Sequence, residues 1–155
     1  MIELRKAKLS DIPAMQELVA SKVADGTILK REDNEVATNI RSYVIALDDQ
    51  QLVGYTALHI HSPRLAEIRS LIVDEAYRKQ HIGKQLVEFT LKEAASLGIE
   101  EVLVLTYIRP FFEKLGFKEI PKESIPEHKI WADCIKCIHF PICDEISMVH
   151  RIDQV

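Results

Sequence analysis

The sequence predicts an α/β domain built around one mixed β-sheet. Strand and helix patterns follow each other along the chain in the order β-α-α-β-β-β-α-β-α-β-β. The 155 residues are 47% hydrophobic and 28% charged, as is usual for one compact globular domain. A chain of this size buries about two-thirds of its unfolded surface, so its core needs no covalent cross-links. We therefore treat residues 1–155 as a single domain.

The first half of the predicted domain contains three strands and two helices. Apolar spacing separates the helices from the strands, and polar segments mark the turns between them. The elements are, in order, a strand at 2–6, a helix that begins at the N-cap Ser10 and ends at Gly26, a short helix at 35–41, and the two strands of a β-hairpin at 43–47 and 52–61.

The second half contains the most strongly patterned elements. The strand at 66–73 is dense in Ile, Leu and Val, which is typical of a central strand. The helix at 83–97 has one apolar face and stops at Gly98. The remaining elements are a strand at 101–106, a short helix at 110–115, and strands at 117–120 and 145–152.

Charge and composition exclude several classes of function. Acidic residues outnumber basic ones by 24 to 20, whereas a protein that binds duplex nucleic acid would carry a basic excess. No stretch of about 18 apolar residues is present that could cross a bilayer. The first residues lack the pattern of a secretory signal. We therefore expect a cytoplasmic protein whose main partner is neither nucleic acid nor a membrane.

The segment over 67–84 has the pattern of a phosphate-binding site. It runs from a buried strand through a polar loop into an amphipathic helix, and the free N–H groups and dipole of a helix N-terminus favour a phosphate. Gly83 removes a Cβ where the backbone would approach the anion, and Arg78, Lys79 and Lys84 add cationic donors. The alternative is a solvated turn whose basic residues occur by chance.

Two motifs resemble signatures of the GNAT superfamily of N-acetyltransferases. The first is Val73-x-x-x-Tyr77-Arg78-x-x-His81-x-Gly83-x-x-Leu86, which is similar to the acetyl-CoA motif of that family. The second is the run Glu-Lys-Leu-Gly-Phe at 113–117. His81 stands where the first motif has its first glycine. We expect a negative φ at His81, with a slightly altered loop that still binds the cofactor.

The resemblance implies a GNAT fold, in which helices flank a central mixed, mostly antiparallel sheet. It also implies acetyl-CoA as the cosubstrate. The backbone of Ile72 and Val73 is then expected to pair with the pantetheine arm in the manner of a strand. The pyrophosphate is expected to bind the backbone N–H groups of Arg78, Lys79, Gln80, His81, Ile82, Gly83 and Lys84.

Acyl transfer to an amine needs a base for the ammonium proton and donors for the developing oxyanion. Glu67 matches the position at which many GNAT enzymes keep a glutamate base. The period of two along a strand predicts that Glu67 shares a face with Arg69, Leu71 and Val73. The alternative is a structural surface pair of Glu67 with Arg69, because weak pairs of this kind are common.

The acid for the leaving thiolate is less evident. The family usually has a tyrosine just before the second motif, and here Phe112 takes that place without a proton to donate. Tyr107, which follows a strand end, or a water could substitute, or the thiolate could leave unassisted. Tyr107 could equally be a packed core residue. The catalytic candidates are therefore Glu67 and Tyr107.

Several segments resemble the acetyltransferase domain of the N-acetylglutamate synthases, whose reaction opens arginine biosynthesis. These segments lie at 26–31, 67–71, 104–106, 111–117 and 125–131. The resemblance implies L-glutamate as the acceptor, and its two carboxylates require cationic partners. The candidates are Lys30, Arg31, Arg69 and Lys129. We expect a short, single-domain form without an amino-acid-kinase domain and without feedback control by arginine through it.

A cluster of cysteines lies late in the chain, at Cys134, Cys137 and Cys143. With His128 or His139 these thiols could hold a structural zinc ion, because four such ligands suit tetrahedral zinc. The alternative is free thiols in a loop before the last strand. A disulfide framework is not expected in a cytosolic chain.

Two other functions compete with glutamate acetylation. One keeps the fold and changes the acceptor to another amino acid, a polyamine or a protein amine, and the basic candidates oppose a polyamine. The other is an acetyl-CoA-binding module without turnover, which Phe112 and His81 suggest and Glu67 opposes. Many relatives pair through their late strands, so a homodimer is a further expectation.

Overall fold

The computed structural model describes residues 1–26, 28, 30–121 and 146–152. Four α-helices lie in this part of the chain: α1 (Ile12–Ala24), α2 (Asp33–Thr38), α3 (Ile82–Leu97) and α4 (Arg109–Glu113). Seven strands accompany them: β1 (Ile2–Lys6), β2 (Tyr43–Asp48), β3 (Gln51–Ile60), β4 (Leu65–Val73), β5 (Glu101–Thr106), β6 (Lys118–Glu119) and β7 (Ile146–Arg151). None of the helices in these described ranges has the length and apolar character that a membrane span requires.

The strands form one mixed sheet in the order β1-β2-β3-β4-β5-β7-β6. Neighbouring strands are antiparallel except for β4 and β5, which are parallel. The β4–β5 pairing ends at Ile68 and Val104, although β4 continues to Val73 and β5 to Thr106. The carboxyl-terminal parts of these two central strands are therefore not paired with each other.

Helices cover both faces of the sheet, because residues along each strand alternate between two cores. One face packs against α1 and α2 through a core that contains Ile12, Met15, Val19, Val36, Tyr43, Ile45, Tyr55 and Ile72. The other face packs against α3 and α4 through a core that contains Val44, Ala46, Ile68, Ile82, Leu86, Val87, Val104 and Phe112. Tyr43 and Val44 show how adjacent residues of one strand enter opposite cores.

A β-bulge in β4 changes which side chains face the α1–α2 side. The register between β3 and β4 shifts between Tyr55 and Ala57, and Ser70 has a φ of 57°. After the bulge, Leu71 and Val73 pack beside α3, whereas Ile72 enters the α1–α2 core. The prediction that Glu67 and Arg69 share a face with Leu71 and Val73 is therefore wrong, because an inserted residue reverses the alternation.

The predicted element order is confirmed, and most boundaries agree within a few residues. The start of the first helix differs. Ser10 lies inside a 3-10 helix (Leu9–Asp11), and α1 begins at Ile12. The Asp11 carboxylate accepts hydrogen bonds from the Lys8 backbone and from the Arg5 guanidinium, which fixes this tighter first turn. Ser10 is therefore not the N-cap.

Candidate active site

Glu67 lies in β4 at the point where β4 and β5 are still paired, opposite Leu103. Its side chain is only 3% exposed. Oε1 accepts a hydrogen bond from Arg69 Nε at 3.1 Å and lies 2.9 Å from His61 Nε2. The Glu67 carboxylate oxygen therefore lies between a guanidinium and an imidazole. Glu67 and Arg69 do form an ion pair, but the pair is buried, whereas the alternative interpretation of the sequence placed it on the surface.

Two histidines adjoin Glu67 that the sequence analysis did not single out as site residues. His59 in β3 is registered opposite Glu67, and His61 follows the end of that strand. Their rings contact each other edge to face, with centroids 4.8 Å apart. The hairpin pattern could have indicated this proximity. Residues 59 and 61 share a face of the strand, and a short connection returns the chain so that Glu67 lies beside them.

A small cavity, partly open to solvent, lies between the sheet and the first two helices. Apolar and aromatic side chains line it together with three polar residues, namely Gln16, Arg31 and Ser70. Gln16 Nε2 donates to the Arg31 carbonyl at 2.8 Å, which anchors the loop before α2 to α1. The Arg31 guanidinium is 13% exposed and pairs with Glu35 at 2.7 Å.

The charges of two arginines affect the pKa of the same tyrosine at this cavity. Burial raises the pKa of Tyr43, and the positive charges of Arg31 and Arg69 oppose this rise. Burial also raises the pKa of Tyr55, which lies edge to face with Tyr43. The structure therefore brings Arg31 and Arg69, two of the predicted substrate residues, to one region on the face that carries Glu67.

The structure describes only one of the other two predicted substrate residues. Lys30 is 69% exposed and lies 3.4 Å from Glu32, and it does not line the cavity. Lys129 lies outside the described residues. The role of both lysines stays a prediction.

The loop between β4 and α3 has a different conformation from the one predicted. A 3-10 helix (Glu75–Gln80) begins after Asp74, whose side chain accepts from the Ala76 N–H at 2.9 Å. His81 then adopts a φ of 60°. The expected negative φ is therefore wrong, because His81 takes the left-handed conformation, which glycine adopts most readily. Histidine tolerates this region better than β-branched residues do.

The N-terminus of α3 is suited to an anion. Its N-cap, His81, makes no side-chain capping bond, and its first turn contains no acidic residue. A Cβ on Gly83 would lie 3.4 Å from Phe111 Cζ and 3.8 Å from Val73 Cγ2, which are ordinary contact distances, so this turn packs against Phe111 and Val73. Ile82 is buried, while the side chains of Gln80, His81 and Lys84 are exposed.

Arg78 is the remaining charged residue of this loop whose side chain is described. It is 54% exposed and lies 3.9 Å from Glu75. An arginine with this exposure can turn toward a ligand at little cost, because an exposed ion pair contributes at most about 1 kcal/mol. The loop therefore presents exposed donors around a helix N-terminus, which is the arrangement that a pyrophosphate requires.

The two candidates for the thiolate acid lie in different environments. Phe112 is 2% exposed and packs edge to face against Phe111 and Phe117, so it belongs to the core. Tyr107 is 42% exposed directly after β5. The preceding Thr106 accepts a hydrogen bond from the Ile108 N–H at 2.9 Å, which shapes the turn that carries Tyr107. Tyr107 is therefore not a core residue.

The predicted cysteine cluster cannot be placed, because Cys134, Cys137 and Cys143 lie outside the described residues. In the part of the chain that is described, no group of three or more His, Cys, Asp or Glu side chains is arranged to hold a metal ion. The zinc site stays a prediction.

Comparison with known proteins agrees with this architecture. Residues 12–117 match the model of the acetyltransferase (GNAT) family. The chain is 39% identical to an uncharacterized N-acetyltransferase of Chlorobaculum tepidum over 149 residues, which cover 96% of each chain. It is 32% identical to an amino-acid acetyltransferase of Mycobacterium tuberculosis over 120 residues, or 76% of this chain and 68% of the relative.

A solved structure supports the fold independently. The N-acetylglutamate synthase of Neisseria gonorrhoeae, complexed with coenzyme A and N-acetyl-glutamate, superposes with a TM-score of 0.90 at 22% identity. The superposition covers 99% of this chain and 36% of that one. Against several further amino-acid acetyltransferases, the match spans only 29% of their length. The predicted fold, a mixed sheet flanked by helices, is confirmed.

Proposed function

Because the chain belongs to the acetyltransferase (GNAT) family, we propose that it transfers the acetyl group of acetyl-CoA to the α-amine of L-glutamate. Acyl transfer is the activity of the family, and the choice of L-glutamate as the acceptor is what we propose. The product, N-acetylglutamate, would place the enzyme at the start of arginine biosynthesis. One observation carries the choice of acceptor: Arg31 lines the cavity together with Ser70, and the adjacent Arg69 donates a hydrogen bond to the buried carboxylate of Glu67.

The acceptor pocket contains guanidinium groups that could bind the carboxylates of an acidic amino acid. Glutamate carries two carboxylates, and a guanidinium binds a carboxylate through two parallel hydrogen bonds. Arg31 lines the cavity. Arg69 precedes Ser70, which also lines the cavity, and donates a hydrogen bond to Glu67.

Glu67 is the proposed base. An amine attacks a thioester only after it loses its ammonium proton, and the Glu67 carboxylate would accept that proton directly or through a water. Its burial and its two hydrogen bonds hold the carboxylate in one orientation. The proton must leave before the N–C bond forms, so this step depends on where Glu67 is held.

Three further features support the binding of acetyl-CoA. The backbone of β4 beyond Ile68 is unpaired with β5, so the segment that contains Ile72 and Val73 can pair with the pantetheine arm. The loop from Arg78 to Lys84 would hold the pyrophosphate at the N-terminus of α3. Tyr107 is exposed after β5 and is the proposed donor of a proton to the leaving thiolate.

Relatives support the same substrates. The similar protein of Mycobacterium tuberculosis is an amino-acid acetyltransferase, and the similar structure from Neisseria gonorrhoeae contains coenzyme A and N-acetyl-glutamate. Both statements concern those proteins. They make glutamate the first acceptor to test for this chain.

The test measures thiol release from acetyl-CoA with a panel of amines. The panel contains glutamate, glutamine, aspartate, spermidine and a lysine-containing peptide, with a reaction without amine as the background. We expect the highest kcat/KM with glutamate. Turnover only with spermidine or the peptide would refute the proposed acceptor, and the absence of turnover with every amine would refute the proposed activity.

A further inference from the structure

We propose that His61 is a positioning residue that holds the Glu67 carboxylate for proton removal. This inference rests on the proposed function, because it assigns His61 a role in the same reaction. The imidazole Nε2 lies 2.9 Å from Glu67 Oε1, and both side chains are 3% exposed. An imidazole that is buried against a proposed base is in a position to determine the orientation of that base.

The backbone of His61 is held firmly. Its N–H donates to the Leu65 carbonyl at 2.9 Å, and the Ser62 N–H donates to the same oxygen at 3.1 Å. The Ser62 hydroxyl in turn accepts from the N–H groups of Arg64 and Leu65. These bonds close the short connection between β3 and β4, so the backbone positions of His61 and Glu67 are fixed relative to each other.

The ring of His61 is also restricted. It packs edge to face against His59, with centroids 4.8 Å apart, and it is almost completely buried. An ionised carboxylate can only accept hydrogen bonds, so His61 must carry its proton on Nε2 when it bonds to Glu67. The proposed bond therefore predicts a proton on Nε2 of His61, which can be observed directly.

His61 and Arg69 have complementary effects on Glu67. Arg69 Nε approaches Oε1 at 3.1 Å and supplies a positive charge, whereas His61 supplies a second, directional donor to the same oxygen. Two donors from different strand segments restrict rotation of the carboxylate more than one donor does. A base displaced by about 1 Å can lose on the order of 100-fold in rate, so loss of one donor should appear in kcat.

The kinetic test compares two substitutions of nearly equal shape. His61→Met removes the donor, and His61→Gln keeps an N–H group near the position of Nε2. We expect His61→Met to lower kcat on the order of 10- to 100-fold with the KM for acetyl-CoA unchanged, and His61→Gln to restore kcat to within about fivefold of the wild type. Thermal unfolding and acetyl-CoA titration of both variants show that they are folded.

Equal kcat values in His61→Met and the wild type would overturn the inference and leave the proposed function intact. Equal losses in the two variants would overturn it as well, because the donor would then be irrelevant. A wild-type protein without turnover on any amine would instead refute the proposed function. Two-bond ¹H–¹⁵N correlation spectra give a readout without turnover: we expect the Nε2–H tautomer of His61, and an unprotonated Nε2 would contradict the proposed bond.

Discussion

The Thr56 hydroxyl donates a hydrogen bond of 3.0 Å to the backbone carbonyl of Arg69 across the β3–β4 pair. Thr56 is fully buried, and its partner lies next to Ser70, whose φ of 57° marks the bulge. A residue that is not glycine is strained in this conformation and needs support from its surroundings. Thr56 provides such support at the point where the chain turns Arg69 and Ser70 toward the acceptor side.

Replacement of Thr56 by valine should therefore affect both stability and the acceptor site. The shape is conserved and the donor is lost, so we expect a loss of about 1 kcal/mol in the free energy of unfolding. We also expect a higher KM for glutamate. Thr90→Val is the matched control, because Thr90 is equally buried and its hydroxyl donates to the Val87 carbonyl within α3. An unchanged KM in Thr56→Val, or an equal rise in Thr90→Val, would contradict the role of the bulge.

Substitution of Glu67 by glutamine should remove the base and keep the shape of the site. We expect kcat to fall on the order of 100- to 10,000-fold, while acetyl-CoA still binds. Thiol-release kinetics measure the first quantity and calorimetry the second. Glu100→Gln, at an exposed carboxylate that pairs with Arg64, serves as the control. A kcat in Glu67→Gln equal to that of the wild type would exclude Glu67 as the base.

The two basic residues at 30 and 31 should contribute differently to acceptor binding. Arg31 lines the cavity and is mostly buried, whereas Lys30 is exposed beside Glu32. We expect Arg31→Met to raise the KM for glutamate at least about tenfold, because loss of a charge-assisted bond costs about 1.5–3 kcal/mol. Lys30→Met should raise KM less. The reverse order in steady-state kinetics would place the carboxylate contact at Lys30.

Gly83→Val should weaken the binding of acetyl-CoA. The added side chain would crowd Phe111 and Val73 and displace the first turn of α3, where the pyrophosphate is expected. We predict at least about a tenfold rise in the dissociation constant measured by calorimetry. The double variant Gly83→Val/Phe111→Leu separates crowding of Phe111 from direct contact of the valine with the ligand, because the smaller leucine relieves the crowding. Wild-type affinity in Gly83→Val would remove this turn from the binding site.

The Arg5–Asp11 pair predicts a pH-dependent contribution to stability. A hydrogen bond from Arg5 lowers the pKa of Asp11 from its ordinary value of 3.8. A carboxyl with a lowered pKa stabilises the folded state above its unfolded pKa, and this contribution disappears as the pH falls through its folded pKa. Asp11→Asn should therefore cost about 1 kcal/mol at neutral pH and progressively less below about pH 4.

Urea unfolding between about pH 3 and pH 7 measures this difference. Asp49→Asn, in the exposed turn between β2 and β3, is the control for the loss of an acidic side chain without the Arg5 pair. A stability difference for Asp11→Asn that stays constant down to the lowest pH would contradict the assignment of the lowered pKa to the ion pair.

The sequence predicted the elements well where apolar spacing alone determines them. The strand at Glu101–Thr106 and the helix that ends before Gly98 were both predicted from such spacing. It could not predict the bulge at Ser70, because an inserted residue leaves no mark in an alternating pattern and depends on a partner in β3. The left-handed φ of His81 was also missed, because a positive φ is uncommon for a residue other than glycine.

The candidate site was predicted in part. Glu67, Arg31 and Arg69 were identified from resemblance and charge, and the structure brings them to one face. His61 was missed because its proximity to Glu67 follows from the hairpin register, which pairs His59 with Glu67 across two strands. Contacts of this kind depend on tertiary structure and are not evident from the local sequence.

Identification of the reaction product shows whether the protein acetylates glutamate. The wild-type protein is incubated with acetyl-CoA labelled with ¹³C in the acetyl group and with L-glutamate, and the reaction is followed by NMR. We predict that the label appears on the glutamate nitrogen, with one thiol of coenzyme A released for each N-acetylglutamate formed. Label that stays on acetyl-CoA, or appears only as free acetate, in a folded sample that binds acetyl-CoA would contradict the account.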